Sequence, residues 1–329
     1  MSSIRLTSFA AGGGCACKIP ARDLHTLVGA LGGQDGGPDL LVGIDQPDDA
    51  AVVRIGADSA VISTADFFTP VVDDPFDWGR VAATNALSDV YAMGGRPLMA
   101  INLLAWPTAT LDFDIAAEVL RGGVAVASAA GIPVAGGHSI TAPEPLYGMA
   151  VTGLARPADL ITVANGEPGV PLTLTKSLGT GILFARHKAT GESCAAAVDS
   201  ATTLNKDASE AAVAAGIRAG TDVTGFGLLG HLLSLARASQ VDAVIDADAV
   251  PYLPGVREAL AAGFVPGGSR RNLDWVRPAL ATDLPDSELL LLADAQTSGG
   301  LLLAGELPGH PVIGRLVPRA GADVRIQVE

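Results

Sequence analysis

Glutamate is absent from the first 100 residues of this 329-residue chain, while twelve aspartates stand there. Aspartate caps helices and opens turns, so a loop-rich first half is the plain reading. Short carboxylates on loops are also what a cage for Mg2+ and phosphate uses. Aromatic residues are scarce, at 4% against 49% hydrophobic residues. Mean hydropathy is +0.38, so a large core is available, but Ala, Val and Leu have to build it. The three cysteines, an odd number, exclude a disulfide framework and point to a reducing compartment. Basic residues number 21 against 35 acidic ones, a net charge of −14. That argues against a nucleic-acid partner, because a phosphate backbone wants a basic face. An anionic small substrate would need a metal or a local Lys/Arg cluster. No unbroken apolar run reaches the ~18 residues of a membrane span. MSSIRLTS lacks the hydrophobic heart of a secretion signal, so the cytoplasm is the expected location.

What is present reads as alternating strands and helices. Forty glycines and 21 prolines are spread out rather than clustered, which suggests turns between short elements. IPARDLHTLVGALGG is a short helix with a glycine stop. AAVVRI and SAVISTAD are β-rich runs forming a hairpin. DPFDWGRVAATNALSDVYAMGG is a helix with an acidic first turn and a Gly94-Gly95 stop. PLMAINLLAW, IPVAGG and PLYGMAVTGLA are strands, and LDFDIAAEVLRGGVAVASAAG is a second helix. The alternation predicts an α/β or α+β fold. The pattern loosens over 155–171, which gives a Gly-rich segment 1–20, an N-terminal domain 21–157 and a C-terminal domain 158–329. The second half restarts with PLTLTKSLGTG as a strand, followed by a helix and an Ala-rich helical region near 193–219. TDVTGFGLLGHLLSLARASQ opens another helix, and VDAVID and TSGGLLLAG are strands.

GFGLLG matches G-x-G-x-x-G, with Asp246 near the distance of a ribose-binding acid. The dinucleotide fingerprint needs a strand immediately before it, and AGIRAGTDVT reads as a helix end and a turn. No G-x-x-x-x-G-K-[ST] occurs, so carboxylate-held metal must handle any bound triphosphate. Asp48 and Asp49 open the DDAAV strand, Asp66 ends STAD, and Asp222 precedes the GFGLLG helix, where amides favour anions. Asn85 and Asp89 share a helix face with Trp78 and Ala82: a buried hydrogen-bonded pair or a site. For each aspartate alone, capping or turn duty competes with ligand binding. In AAGGGCACKIP, Cys15 and Cys17 are too close for an unstrained mutual disulfide. With His25 they make half a zinc set, but Cys194 stands alone. Lys18 favours the thiolate, and a glycine tether carrying both groups reads as a lid; an incidental frayed terminus is the alternative.

GGGCACKI, QPDDAAV, TNALSDVYAMGG, AGGHSITAPEP, LTKSLGTG, TDVTGFGLLGHL and QTSGGLLLA, in this order from residue 5 to about 304, resemble the selenophosphate synthetase (selenide, water dikinase) family. The resemblance implies a two-domain aminoimidazole ribonucleotide synthetase-like α/β (α+β) fold that dimerises through its N-terminal domains. It implies ATP, selenide and water as substrates, and selenophosphate, AMP and phosphate as products. It places the catalytic cysteine on Cys15, the essential lysine on Lys18, and the Mg2+ ligands on Asp49, Asp89 and Asp222. Nucleotide contacts fall on Lys18, the Gln46-Pro47-Asp48 turn, Asp66, Asp89 and the Gly137-His138-Ser139 turn. K+ is an accompanying cation, and a selenium-delivery protein an implied partner. The chain departs from the family pattern at Ala16, at Gln46-Pro47 and at Ala295. Two other readings are a same-fold ATPase with a different substrate, which leaves the Cys-x-Cys-Lys loop without a reason, and a Cys-x-Cys or NAD-linked redox protein, which leaves the aspartates unexplained.

Overall fold

The structure, a computed structural model, describes residues 4–10, 12, 18–19, 21–31, 36–44, 48–323 and 325–329. After helix α1 (Ala21–Gly29), the first sheet is built from β1 (Leu40–Val42), β2 (Ala51–Gly56) and β3 (Ser59–Phe68). Helix α2 (Pro75–Ala92) then leads to β4 (Arg96–Trp106), and α3 (Phe113–Ala130) to β5 (Val134–Thr141) and β6 (Leu146–Ala155). The strand order is β1-β2-β3-β6-β4-β5, antiparallel except for β4 with β5. The β2–β3 pair is the expected hairpin.

One face of this sheet carries α2 and α3. Asp74 caps α2 by accepting from the Asp77 amide at 2.8 Å, and Pro75 occupies the first turn, where no amide partner is needed. The helices approach closely because two glycines let them: a Cβ on Gly79 would stand 2.0 Å from the Val119 carbonyl oxygen, and one on Gly122 2.1 Å from that of Phe76. Nearly every residue of α2 from Trp78 onward is buried. The few aromatics concentrate here. Trp78 stacks on Trp106 at 6.5 Å and meets Tyr147 edge-on at 6.2 Å.

The second half contains β7 (Pro171–Leu174), α4 (Thr180–Thr190), α5 (Ala195–Ala201) and α6 (Lys206–Ala214), then β8 (Gly220–Asp222), α7 (Gly227–Ser239) and β9 (Asp242–Ile245). Helices α8 (Val256–Ala261) and α9 (Gly267–Val276), strand β10 (Leu280–Ala281) and α10 (Asp286–Leu292) follow. β11 (Leu301–Ala304), β12 (Val312–Val317) and β13 (Ile326–Val328) complete it. The order is β10-β13-β9-β12-β7-β11-β8, over a core of leucines such as Leu172, Leu232 and Leu302.

A strand, β8, does precede GFGLLG, where the sequence suggested a helix end and a turn. It is an edge strand, antiparallel to β11 and four places from β9, so no parallel βαβ unit forms. The glycines have packing duties. Gly227 has φ of 69° and lies against the Ala293 backbone, and Gly230 lies against the Trp275 ring. Among the described residues no helix is long and apolar enough to cross a membrane.

Candidate active site

The C-terminal half of α2 faces both sheets. On its sheet side β3 alternates, so Thr64 and Asp66 point at the helix. Asn85 donates to Asp66 Oδ2 at 2.6 Å, and the Thr64 hydroxyl donates to Asp89 Oδ2. Toward the second half, the Ser88 hydroxyl donates to Asp222 Oδ2 at 2.6 Å and accepts from Asn205 Nδ2 at 2.9 Å. The turn before β2 brings Asp48 and Asp49 to the same place. The Val163 amide donates to the Asp48 carboxylate at 3.3 Å, and Thr221 to Asp49 Oδ1 at 2.8 Å. Lys18 closes the group with its Nζ 3.2 Å from Asp66 Oδ2. Lys18, the five aspartates, Thr64 and Thr221 line one cleft of about 800 Å³ between the halves, with Asn85, Ser88 and Asn205 behind them.

Five carboxylates, those of Asp48, Asp49, Asp66, Asp89 and Asp222, stand in a partly dry cleft, and the protonation states show their repulsion. Burial pushes Asp48 and Asp222 up to about 6, against the bonds that Val163 gives the first and Ser88 the second. Burial, then the charges of Asp222, Asp48 and Asp89, raises Asp49 well above the usual carboxylate range. Burial, then Asp66 and Asp222, does the same to Asp89. Asp49 Oδ2 is buried, and among the described residues it has no hydrogen-bond partner. A buried carboxylate oxygen that no donor meets, among carboxylates that raise one another's pKa, is a set of hard oxygen ligands suited to Mg2+.

His231, on α7, brings a ring nitrogen within 4.8 Å of the Asp49 and Asp222 oxygens. Its Nε2 accepts from the Thr224 amide at 3.2 Å, and burial pulls it down to about 3, so the ring is neutral. Lys176, at the end of β7, donates to the carbonyls of Thr203 at 2.6 Å and Ser298 at 3.1 Å. Burial pulls its ammonium down to about 7 while Asp222 opposes the shift.

The AIR synthase related protein, N-terminal domain, matches residues 47–155, and the corresponding C-terminal domain matches 167–304. Selenide, water dikinase of Bordetella bronchiseptica is 50% identical over 310 residues, 93% of this chain and 90% of that protein. The chain belongs to the selenide, water dikinase family. Selenide, water dikinase of Pseudomonas aeruginosa is 48% identical over 305 residues, 92% of this chain and 88% of that one. Two solved structures share the fold at low identity. AaThiL complexed with AMPPCP and TMP has a TM-score of 0.65 at 17% identity, over 92% of this chain and 91% of that one. Hydrogenase maturation protein HypE in complex with ATP has 0.62 at 19%, over 99% and 95%.

Of the residues expected in a selenide, water dikinase, Lys18, Asp48, Asp49, Asp66, Asp89 and Asp222 all meet in the cleft. Asp66 lies within β3 rather than at its end, and Asp222 ends β8. Gly137, His138 and Ser139 do not join them within one chain. The expected turn is a stretch of exposed edge strand β5, separated from β3 by β4 and β6. Cys15, Cys17, Gln46 and Pro47, and the side chain of His25, lie outside the described residues. His231, Thr64, Asn205 and Lys176 went unread as site residues. His231, Thr64 and Lys176 sit inside resembling blocks, TDVTGFGLLGHL, the run from STADFF to YAMGG, and LTKSLGTG, but a histidine, threonine or lysine there carries no spacing signal of its own.

Proposed function

We propose that this cleft is the centre at which this member of the selenide, water dikinase family converts ATP, selenide and water to selenophosphate, AMP and phosphate. The observation that supports the reading best is the group Asp48, Asp49, Asp89 and Asp222, with its unmatched Asp49 oxygen. Asp49, Asp89 and Asp222 are the residues that would hold Mg2+, and the metal would supply positive charge for the triphosphate in a chain of net charge −14. Asp66 holds Lys18 at the mouth of the cleft, so its ammonium is placed for a phosphoryl oxygen. Ser88 and Thr221 fix the orientation of Asp222 and Asp49, and Thr64 that of Asp89. Selenide attacks the γ-phosphorus and releases ADP, which water then hydrolyses to AMP and phosphate. Cys15 is proposed as the thiol that handles selenium, and the cytoplasm as the location.

The open face of the first sheet supports a homodimer. Val53, Ile55, Phe67, Met99, Ile101 and Ile140 are exposed there, and β5 is exposed along its length. The test of the function is an anaerobic reaction with ATP, Mg2+ and selenide, followed by 31P NMR, with Cys15→Ser in parallel. A selenium-dependent selenophosphate resonance with AMP and phosphate, lost in the variant, supports the whole reading. Nucleotide cleavage indifferent to selenide would keep the ATPase and remove the substrate.

A further inference from the structure

Ser298 lies in the loop 296–300 that leads into β11, and its neighbours there are fully used. Gln296 Oε1 accepts from the Gly179 and Thr180 amides at 2.9 and 3.1 Å, and the Gly299 carbonyl accepts from Asn205 at 2.9 Å. The Ser298 backbone is clamped on both sides. Its amide donates to Asn85 Oδ1 at 2.9 Å, and its carbonyl accepts from Lys176. The clamp holds φ at 52°, a left-handed conformation uncommon for a residue with a side chain. Glycine would relieve that strain. Serine stands there instead, with a buried hydroxyl that no partner meets among the described residues. A strained backbone and an orphan donor both oppose folding, and their coincidence marks a group kept for a ligand.

The surroundings say what kind of ligand. Lys176 gives two N–H groups to carbonyls, and among the described residues no acceptor meets the third. Asp222 reaches it through space rather than by contact. Strands β7, β11 and β8 are neighbours. Leu301 pairs with Asp222, and the Thr175 amide donates to the Leu301 carbonyl, so Lys176, Ser298 and Asp222 share one end of the sheet. A single amide, that of Asn85, joins Ser298 to Asp66 in the cleft.

We propose that Ser298 and Lys176 form a second oxyanion subsite beside the carboxylate cleft, taking a phosphoryl oxygen of the nucleotide or the phosphate product. Ser298 supplies the shielded donor, and Lys176, partly exposed, supplies the charge on the open side. This rests on the phosphoryl-transfer reading given above.

The test titrates inorganic phosphate by calorimetry into the wild type, Ser298→Gly, Lys176→Met and Lys176→Arg, alongside steady-state kinetics with ATP, Mg2+ and selenide. Ser298→Gly melts no lower than the wild type, because glycine relieves the left-handed strain, so any loss of binding is not misfolding. Ser298→Gly and Lys176→Met each weaken phosphate binding or raise the KM for ATP about tenfold or more, and Lys176→Arg recovers most of the loss. Weaker phosphate binding at unchanged KM assigns the subsite to the product, and a raised KM at unchanged phosphate binding assigns it to the nucleotide. Wild-type behaviour of Ser298→Gly in both assays overturns the proposal, even if Lys176→Met is impaired, since the ammonium would then act on Asp222 alone. A wild type inactive with selenide removes the functional reading, while the phosphate titration still decides the subsite.

Discussion

Asp49 is where the cleft is most strained electrostatically. One of its oxygens is held by Thr221, the other meets no donor among the described residues, and three further carboxylates bear on it. Asp49→Asn removes a charge and a proposed Mg2+ ligand together. We expect Mg2+-dependent ATP turnover to fall by about a hundredfold or more, with the metal-free melting temperature unchanged or raised, because like-charge repulsion is relieved. Wild-type turnover in that variant would move the metal elsewhere. The same repulsion gives a pH dependence of definite sign. Asp48 and Asp222 titrate near 6 when folded, above the 3.8 of the unfolded chain. The folded state therefore holds extra protons between these values, and metal-free stability declines as pH rises from about 4 to about 6. Mg2+ competes with the proton on Asp222, so its affinity falls by up to about tenfold per pH unit as pH drops below 6. Calorimetric Mg2+ titrations at pH 5, 6 and 7.5 check this; affinity independent of pH would exclude Asp222 as a ligand.

At the scale of elements, the contact of α2 with α3 depends on glycine at two positions. Gly122→Ala would force its methyl into the Phe76 carbonyl, and the helices would separate. Overpacking of this kind costs about 1–3 kcal/mol, which a thermal melt reads as a loss of several degrees. Because α2 carries Asn85, Ser88 and Asp89, the variant should also bind Mg2+ more weakly; an unchanged melt would show that the helices part without strain. These elements were largely readable from sequence. Helix α2 announced itself by its apolar spacing, its acidic first turn and its glycine stop, and the β2–β3 hairpin by two β-rich runs around a turn. The stretch 251–296 was not read: α8, α9 and α10 are short, and α9 has Gly-Gly and Arg-Arg where an apolar stripe would be expected. Strand β8 escaped because three residues, Gly-Thr-Asp, carry no alternation.

At the scale of the whole molecule, the apolar open face of the first sheet has an expected outcome. A carboxylate replacing Phe67, at 55% exposure, or Ile101 leaves the monomer fold alone and splits the proposed dimer. Light scattering should read one chain's mass for Phe67→Asp and twice that for the wild type; a monomeric wild type would remove the interface. The site was legible only in part, for a geometric reason. Asp49 and Asp222 are 173 positions apart, with Asp49 just before β2 and Asp222 at the end of β8, and residue spacing cannot report that two sheets bring them together. The family motifs named both, but not the contacts of Thr221, Ser88 and Asn205 that hold them in place.

The hydrogen bond from Ser88 to Asp222 has a consequence for how such proteins can be recombined. It places a carboxylate of one half under the control of a hydroxyl from the other, and Asn85 with Ser298 makes a second such cross-connection a turn earlier. The apolar core is shared in the same way, with Trp78 and Val81 in one buried cluster with Ile182, Phe184 and Ala197. A chimera that grafts this first sheet onto the second half of a distant relative would lose the positioning of the cleft carboxylates, unless the residues opposite Ser88 and Asn85 travel with it.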